Sequence, residues 1–193
     1  RITSKKSFWK DEFYINSHCL DPRPDSEIII ESVINSLNQK KLENFNILDL
    51  GTGSGCLILS ILREFSKAKG IATDISIGAI EVAKLNSKKL KLFNNINFVV
   101  SDWCQSLNGL FDVIVINPPY IKSNEIKNLQ IEIKNFDPKI SLDGGEDGLQ
   151  AYIKIAPNIR NLLTNKGLVF CEIGYKQTKE ITKIFHDNNL KKL

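Results

Sequence analysis

A short apolar run, FNILDL over residues 45–50, meets a turn with glycine at every second position, Gly51-Thr52-Gly53-Ser54-Gly55, and the chain then enters the apolar stretch CLILSILREF. A run of that length closed by glycine reads as a buried strand, and the longer stretch reads as a packed helix. Strand, tight turn and helix in this order form the first half of a βαβ unit, which is completed only by building a parallel sheet.

The rest of the chain keeps the pattern. GIATD predicts a strand, IGAIEVAKLNSKKL a helix, INFVV and FDVIVI two strands, GLQAYIKIAPNIRNLL a helix, and GLVFCEI a fifth strand. Residues 175–188 predict one more helix, and LKKL at 190–193 the start of a further strand. Ahead of the first βα unit, residues 8–20 predict a β-hairpin, and Pro22 and Pro24 then break the chain. The following helix, capped by Asp25 or Ser26, carries its apolar stripe on Ile28, Ile29, Val33, Ile34 and Leu37. The organisation expected is a hairpin and connecting segment over 1–24 and a single α/β domain over 25–193, its sheet covered by helices on both faces.

Four places carry chemistry. Glycines at 51, 53 and 55 let the backbone turn sharply and let a ligand lie against the main chain. The third glycine comes one residue too early for the dinucleotide fingerprint G-x-G-x-x-G. With Asp49 two residues before Gly51, this form resembles motif I of S-adenosylmethionine methyltransferases. Asp74 ends the second strand, where a carboxylate can accept from both hydroxyls of a ribose, while Ser76 is placed to cap the next helix. Asp102 and Trp103 follow the third strand, where the acid can accept from an adenine amine and the indole can offer an aromatic face.

Asn117-Pro118-Pro119-Tyr120 follows FDVIVI directly. Two prolines fix the backbone and remove two N–H donors, so the carbonyls stay available as acceptors. A planar nitrogen, as in an amide or an exocyclic amine, is a poor nucleophile because its lone pair is delocalised. The Asn117 side-chain oxygen and the Pro118 carbonyl can accept its two N–H groups and stabilise the positive charge that grows during transfer. Tyr120 supplies a flat surface for the substrate.

Composition removes other classes. With 193 residues, 42% of them apolar, the chain can bury a full core. The net charge of +4 comes from interspersed Lys and Arg, which reads as a solvated surface. Cys19, Cys56, Cys104 and Cys171 stand far apart, and with only His18 and His186 beside them they suggest neither a metal site nor a disulfide framework. No apolar stretch approaches the roughly 18 residues of a membrane span, and RITSKKSFWK lacks a signal-peptide core, so a cytoplasmic location is expected. The chain opens on Arg1 and contains no methionine, so it is expected to be part of a longer polypeptide.

Taken together, FW in the leading segment, PRPDSE (residues 22–27), DLGTGSG, NPPY and SLDGGEDGL (residues 141–149) resemble the release factor glutamine methyltransferases, the HemK/PrmC family, over nearly the whole chain. NPPY alone is shared with methyltransferases of adenine and guanine amines; PRPDSE and SLDGGEDGL narrow the resemblance. It implies a Rossmann-like class I S-adenosylmethionine methyltransferase fold preceded by a hairpin, with S-adenosyl-L-methionine as cofactor. It further implies that Gly51, Thr52, Gly53, Ser54, Gly55, Asp74, Trp103 and Asn117 contact the cofactor. Asn117, Pro118, Pro119 and Tyr120 would hold the substrate, with Arg23 and Glu27 shaping the pocket entrance. The substrate implied is the glutamine of the Gly-Gly-Gln tripeptide of peptide chain release factors.

Where relatives carry an apolar residue this chain has Asp21, so the hairpin is expected either to pack less tightly or to pair with Arg23. The family's N-terminal helical domain is not expected within these 193 residues, and its last two strands would follow the edge strand LVFCEI, so the protein is expected to continue beyond Leu193. A second, tRNA-modifying methyltransferase module fused at the C-terminus is left open, and nucleic acid is not required. Two other readings stand beside this one. A nucleic-acid amine methyltransferase would bring a flipped base to Tyr120. A binding module that has lost turnover is the third, and the intact NPPY argues against it.

Overall fold

A computed structural model of the chain describes residues 3–40 and 44–191. An antiparallel hairpin, β1 (Lys5–Phe8) and β2 (Asp11–Tyr14), comes first, and α1 (Glu27–Lys40) follows. The alternation then runs β3 (Asn46–Leu50), α2 (Cys56–Glu64), β4 (Lys69–Asp74), α3 (Ile77–Lys89), β5 (Ile96–Val100) and β6 (Phe111–Ile116). A long connection holding the short α4 (Ile131–Phe136) leads to α5 (Gln150–Leu162), β7 (Leu163–Cys171) and α6 (Thr178–Asp187).

The strands β3 to β7 form one parallel sheet in the order β5-β4-β3-β6-β7. The order reverses between β3 and β6, and such a switch point opens a crevice at the carboxyl ends of the two strands. Side chains alternate across the sheet. Ile47, Val113 and Val115 join the buried faces of α1 and α2, whereas Leu48, Leu50, Ile114 and Ile116 pack against Ala151, Ile155, Ile159 and Leu162 of α5. Burial on both faces explains why these strands read as continuous apolar runs.

Several local expectations are corrected. The hairpin lies over 5–14 rather than 8–20: Phe8 and Phe13 turn into the core, while Trp9 sits in the two-residue turn with φ 54°. The Trp9 amide donates to Glu27 Oε1 and its indole to Glu64 Oε1, each at 2.8 Å, so the ring braces the hairpin against α1 and α2. Ile28 is 65% exposed, and the buried stripe of α1 is Ile29, Ile30, Val33 and Leu37. Neither Asp25 nor Ser26 caps α1 by the sequence rule; a 3-10 turn over Pro24–Ser26 leads in, and the Ser26 hydroxyl is engaged elsewhere. The start of a strand expected at LKKL lies partly outside the described residues, and Leu190 and Lys191 are not in a strand.

A buried polar residue joins the hairpin to the glycine turn. Asn86 of α3, fully buried, accepts from the Tyr14 amide at 2.8 Å and donates to the carbonyls of Tyr14 at 2.9 Å and Ser54 at 2.8 Å. Truncating it strands buried backbone groups, each costing about 1–3 kcal/mol. We expect Asn86→Ala to lower unfolding stability by about 2–4 kcal/mol in urea titration; an unchanged midpoint would show that the turn does not need this brace.

Candidate active site

The register of the sheet sets the site. Thr73 pairs with Leu50, Leu50 with Ile116, and Ile116 with Cys171. The residue after each of these is Asp74, Gly51, Asn117 and Glu172, so these four stand side by side at the carboxyl edge of the sheet. Val100, paired with Asp74, extends the row toward Ser101 and Asp102.

Gly51, Gly53 and Gly55 have φ of 77°, 57° and 81°, a region side chains avoid. At Gly51 a Cβ would also come within 3.1 Å of the Trp103 ring, whereas at Gly53 it would project into open space with only Cys19 at 3.9 Å. Gly55 falls outside the cleft: its Cβ would meet Leu59 at 3.0 Å and Ala83 at 3.2 Å, so it serves the packing of α2 on α3. The turn is held from both sides, because the amides of Gly51 and Thr52 donate to the Thr73 carbonyl and that of Gly53 to Asp74 Oδ2 at 2.9 Å. Asp74 also accepts from the Ser76 amide, and the Ser76 hydroxyl caps α3. Burial raises the Asp74 carboxyl above its usual range, against the pull of these amide donors.

Around this turn lies a cleft of about 750 Å³. Gly51, Thr52, Gly53, Ser54, Asp74, Asp102, Trp103, Asn117 and Pro119 all line it. Asp102 meets Lys154 of α5 at 2.5 Å across its mouth, an ion pair with no signal in the local sequence. His18, Cys19, Leu20, Pro22 and Arg23 form the opposite wall. A second cavity of about 310 Å³ is lined by Pro118, Tyr120, Ile121, Ile133 and Glu172. The two cavities share Leu20, Arg23, Asn117, Pro119 and Ser141.

Asn117 Nδ2 donates to Ser26 Oγ at 3.0 Å, Ser26 Oγ donates to Glu172 Oε2 at 2.5 Å, and the Tyr120 hydroxyl donates to Glu172 Oε1 at 3.0 Å. Burial, and next the adjacent Glu172 charge, push the Tyr120 hydroxyl up to about 12, so it keeps its proton. Behind the prolines, the glycine-rich loop fits against bare backbone. A Cβ at Gly144 would lie 2.9 Å from the Pro119 carbonyl oxygen, and one at Gly148 2.5 Å from that of Tyr120. Gln177 donates to the Tyr120 and Gly148 carbonyls and accepts from the Gly174 amide, tying three loops together.

Arg23 pairs with Asp137 at 2.5 Å, and the Asp21 amide donates to the same carboxylate. This strap holds the connection after β6 over the cleft wall. Glu27 lines neither cavity, being occupied by the Trp9 amide. Ser26 stood out in the sequence only as a cap candidate, and for Glu172 a charged residue directly ending the apolar run LVFC was the available signal. Among the described residues, no cluster of three or more His, Cys, Asp or Glu could hold a metal, and no helix is long and apolar enough to cross a membrane.

A parallel sheet whose order reverses beside a glycine turn, with an acid ending the second strand, another after the third and Asn-Pro-Pro-Tyr after the fourth, defines a class I methyltransferase. The chain belongs to the methyltransferase small domain family, whose model matches residues 26–135. It is 42% identical to a bifunctional methyltransferase of Rickettsia typhi over 95% of the chain and 39% of that protein. It is 36% identical to a release factor glutamine methyltransferase of Agrobacterium fabrum over 96% of the chain and 65% of that protein. The chain thus spans about two fifths and just under two thirds of these relatives. The fold is shared with the ribosomal protein L11 methylase of Lactobacillus delbrueckii, with a TM-score of 0.62 and 20% identity over 88% of this chain and 72% of that one. The cofactor of this family, S-adenosyl-L-methionine, fits the cleft: Gly53 offers main chain without a Cβ in the way, and Asp74, Asp102 and Trp103 all reach the lining.

Beneath the turn, Asp49 is 1% exposed and accepts from Thr52 Oγ1 at 2.7 Å. Burial pushes its carboxyl up to about 7, only partly offset by the Thr52 hydroxyl. The unfolded chain ionises near pH 4, so stability falls as pH rises from there to about 7 and is level above. The cost is on the order of 4 kcal/mol at the upper end. Asp49→Asn keeps an acceptor for Thr52 and removes the titration. The stability gap between variant and parent should therefore widen in the variant's favour from pH 4 to pH 8 in chemical denaturation. A gap independent of pH would contradict this account of Asp49.

Proposed function

We propose that the chain is the catalytic core of a protein-glutamine N-methyltransferase that methylates the side-chain amide of the Gly-Gly-Gln glutamine in peptide chain release factors. The observation that carries this reading is the meeting of the two cavities on Asn117 and Pro119. A donor bound along the glycine turn and an acceptor beside Tyr120 would face each other there. S-adenosyl-L-methionine, when bound, supplies a methyl group on a positively charged sulfonium.

The chain's own residues act on the nitrogen. Asn117 Oδ1 and the Pro118 carbonyl accept its N–H groups, which turns the lone pair toward the cleft and lowers the energy of the cationic transition state more than that of the bound amide. Tyr120 lies against the planar carboxamide. The smaller cavity admits a slender side chain, and two glycines before the glutamine would let a loop thread its mouth. The family's release factor relatives, similar over nearly all of this chain, support the choice of a protein amide over a nucleobase amine.

Removing one preorganised acceptor commonly costs on the order of 10²–10³ in rate. Asn117→Ala should lose that much methyl transfer to release factor while still binding S-adenosylhomocysteine. Mass spectrometry of the factor should place the methyl on the glutamine when the parent chain is used. Full turnover by the variant, or transfer only to RNA or DNA, would overturn the proposal.

A further inference from the structure

We infer that Glu172 and Ser26 are positioning residues that fix which end of the Asn117 carboxamide faces the substrate. This rests on the reading of Asn117 as the acceptor of the methylated nitrogen. A carboxamide has nearly the same shape either way round, so packing alone does not choose between its oxygen and its NH₂. Its partners must choose, and a wrong choice would present a donor to a nitrogen that needs an acceptor.

The choice follows from counting protons. A carboxylate only accepts, so the hydroxyl hydrogens of Ser26 and Tyr120 both point at Glu172, at 2.5 and 3.0 Å. Ser26 has one hydrogen and has spent it. What it offers Asn117 at 3.0 Å is therefore a lone pair, which only the NH₂ end can use. Oδ1 is left as the acceptor.

Glu172 is itself held. Its amide donates to the Ile116 carbonyl at 2.9 Å, and its carbonyl accepts from the hydroxyl of the fully buried Tyr152 at 3.0 Å. Ile116 immediately precedes Asn117, so the acid and the amide it orients are fixed to adjacent points of the sheet. Ser26 itself is 2% exposed, so its hydroxyl is committed to Glu172 and Asn117 although the larger cleft borders it. The same carboxylate fixes the Tyr120 hydroxyl, so one group sets both the acceptor and the flat wall of the slot.

The alternative is that these bonds merely fasten the segment before α1 to the sheet. Two readouts separate the ideas. Ser26→Ala and the isosteric Glu172→Gln, whose NH₂ lets Ser26 turn its hydrogen to Asn117, should each lower kcat about 10- to 100-fold. S-adenosylhomocysteine affinity and the thermal midpoint should stay near parental, and the double variant should be no slower than the slower single one. In ¹⁵N NMR, the side-chain NH₂ signal of Asn117, assigned by its loss in Asn117→Asp, should be protected from exchange in the parent and lose that protection in both variants. An unchanged Asn117 signal, or additive losses in the double variant, would overturn the relay. The NMR readout needs no methyl acceptor. A parent chain that fails to methylate glutamine while its Asn117 signal responds sinks the proposed substrate and leaves the relay standing.

Discussion

Everything at this site depends on the pairing of Leu50 with Ile116 in adjacent parallel strands. Parallel neighbours lie about 4.8 Å apart and end at the same edge of the sheet. The glycine turn after Leu50 and the Asn-Pro-Pro-Tyr turn after Ile116 therefore cannot avoid each other. Because the strand order reverses at this pair, the two turns lead away on opposite sides and leave a crevice between them. Adding β4 on one side and β7 on the other places Asp74 and Glu172 in the same row. A slip of one residue in any of these registers would move a functional group to the wrong face.

Polar atoms buried behind the row keep it in place. Asn86 ties the Ser54 carbonyl to the hairpin, Thr52 closes over Asp49, and Gln177 joins the Tyr120 carbonyl to the loop of Gly148. These contacts cost desolvation, most visibly at Asp49, and in return the backbone of both turns has little freedom. Rigidity of this kind suits a reaction in which the protein contributes mainly orientation and a few acceptors, since misplacement by about 1 Å can cost some 10²-fold in rate.

The glycine turn, Asp74, Trp103 and NPPY were legible in the sequence because each is a run of adjacent letters whose backbone demands are local. So was the order of sheet elements, since buried strands and helices separated by turns leave a plain apolar rhythm. Ser26, Asn86 and Glu172 were not legible as site residues. Ser26 and Glu172 act across 146 positions, and Asn86 reaches Tyr14 across 72. Only the register brings such pairs together, and register is not written in any one segment. The hairpin was placed too late for a related reason: Trp9 resembles a strand residue by composition, but its partners Glu27 and Glu64 hold it in a turn. Ile28 likewise satisfies a helical stripe on paper, yet α1 turns Ile29 and Ile30 inward instead.

The most direct test is a crystal structure of the chain with S-adenosylhomocysteine and a Gly-Gly-Gln peptide bound together. The account predicts the spent cofactor along Gly51–Ser54 and the glutamine beside Tyr120, its amide nitrogen hydrogen-bonded to Asn117 Oδ1 and pointing at the sulfur. A peptide bound away from Asn117, or an Asn117 that turns its NH₂ toward the glutamine nitrogen, would contradict it.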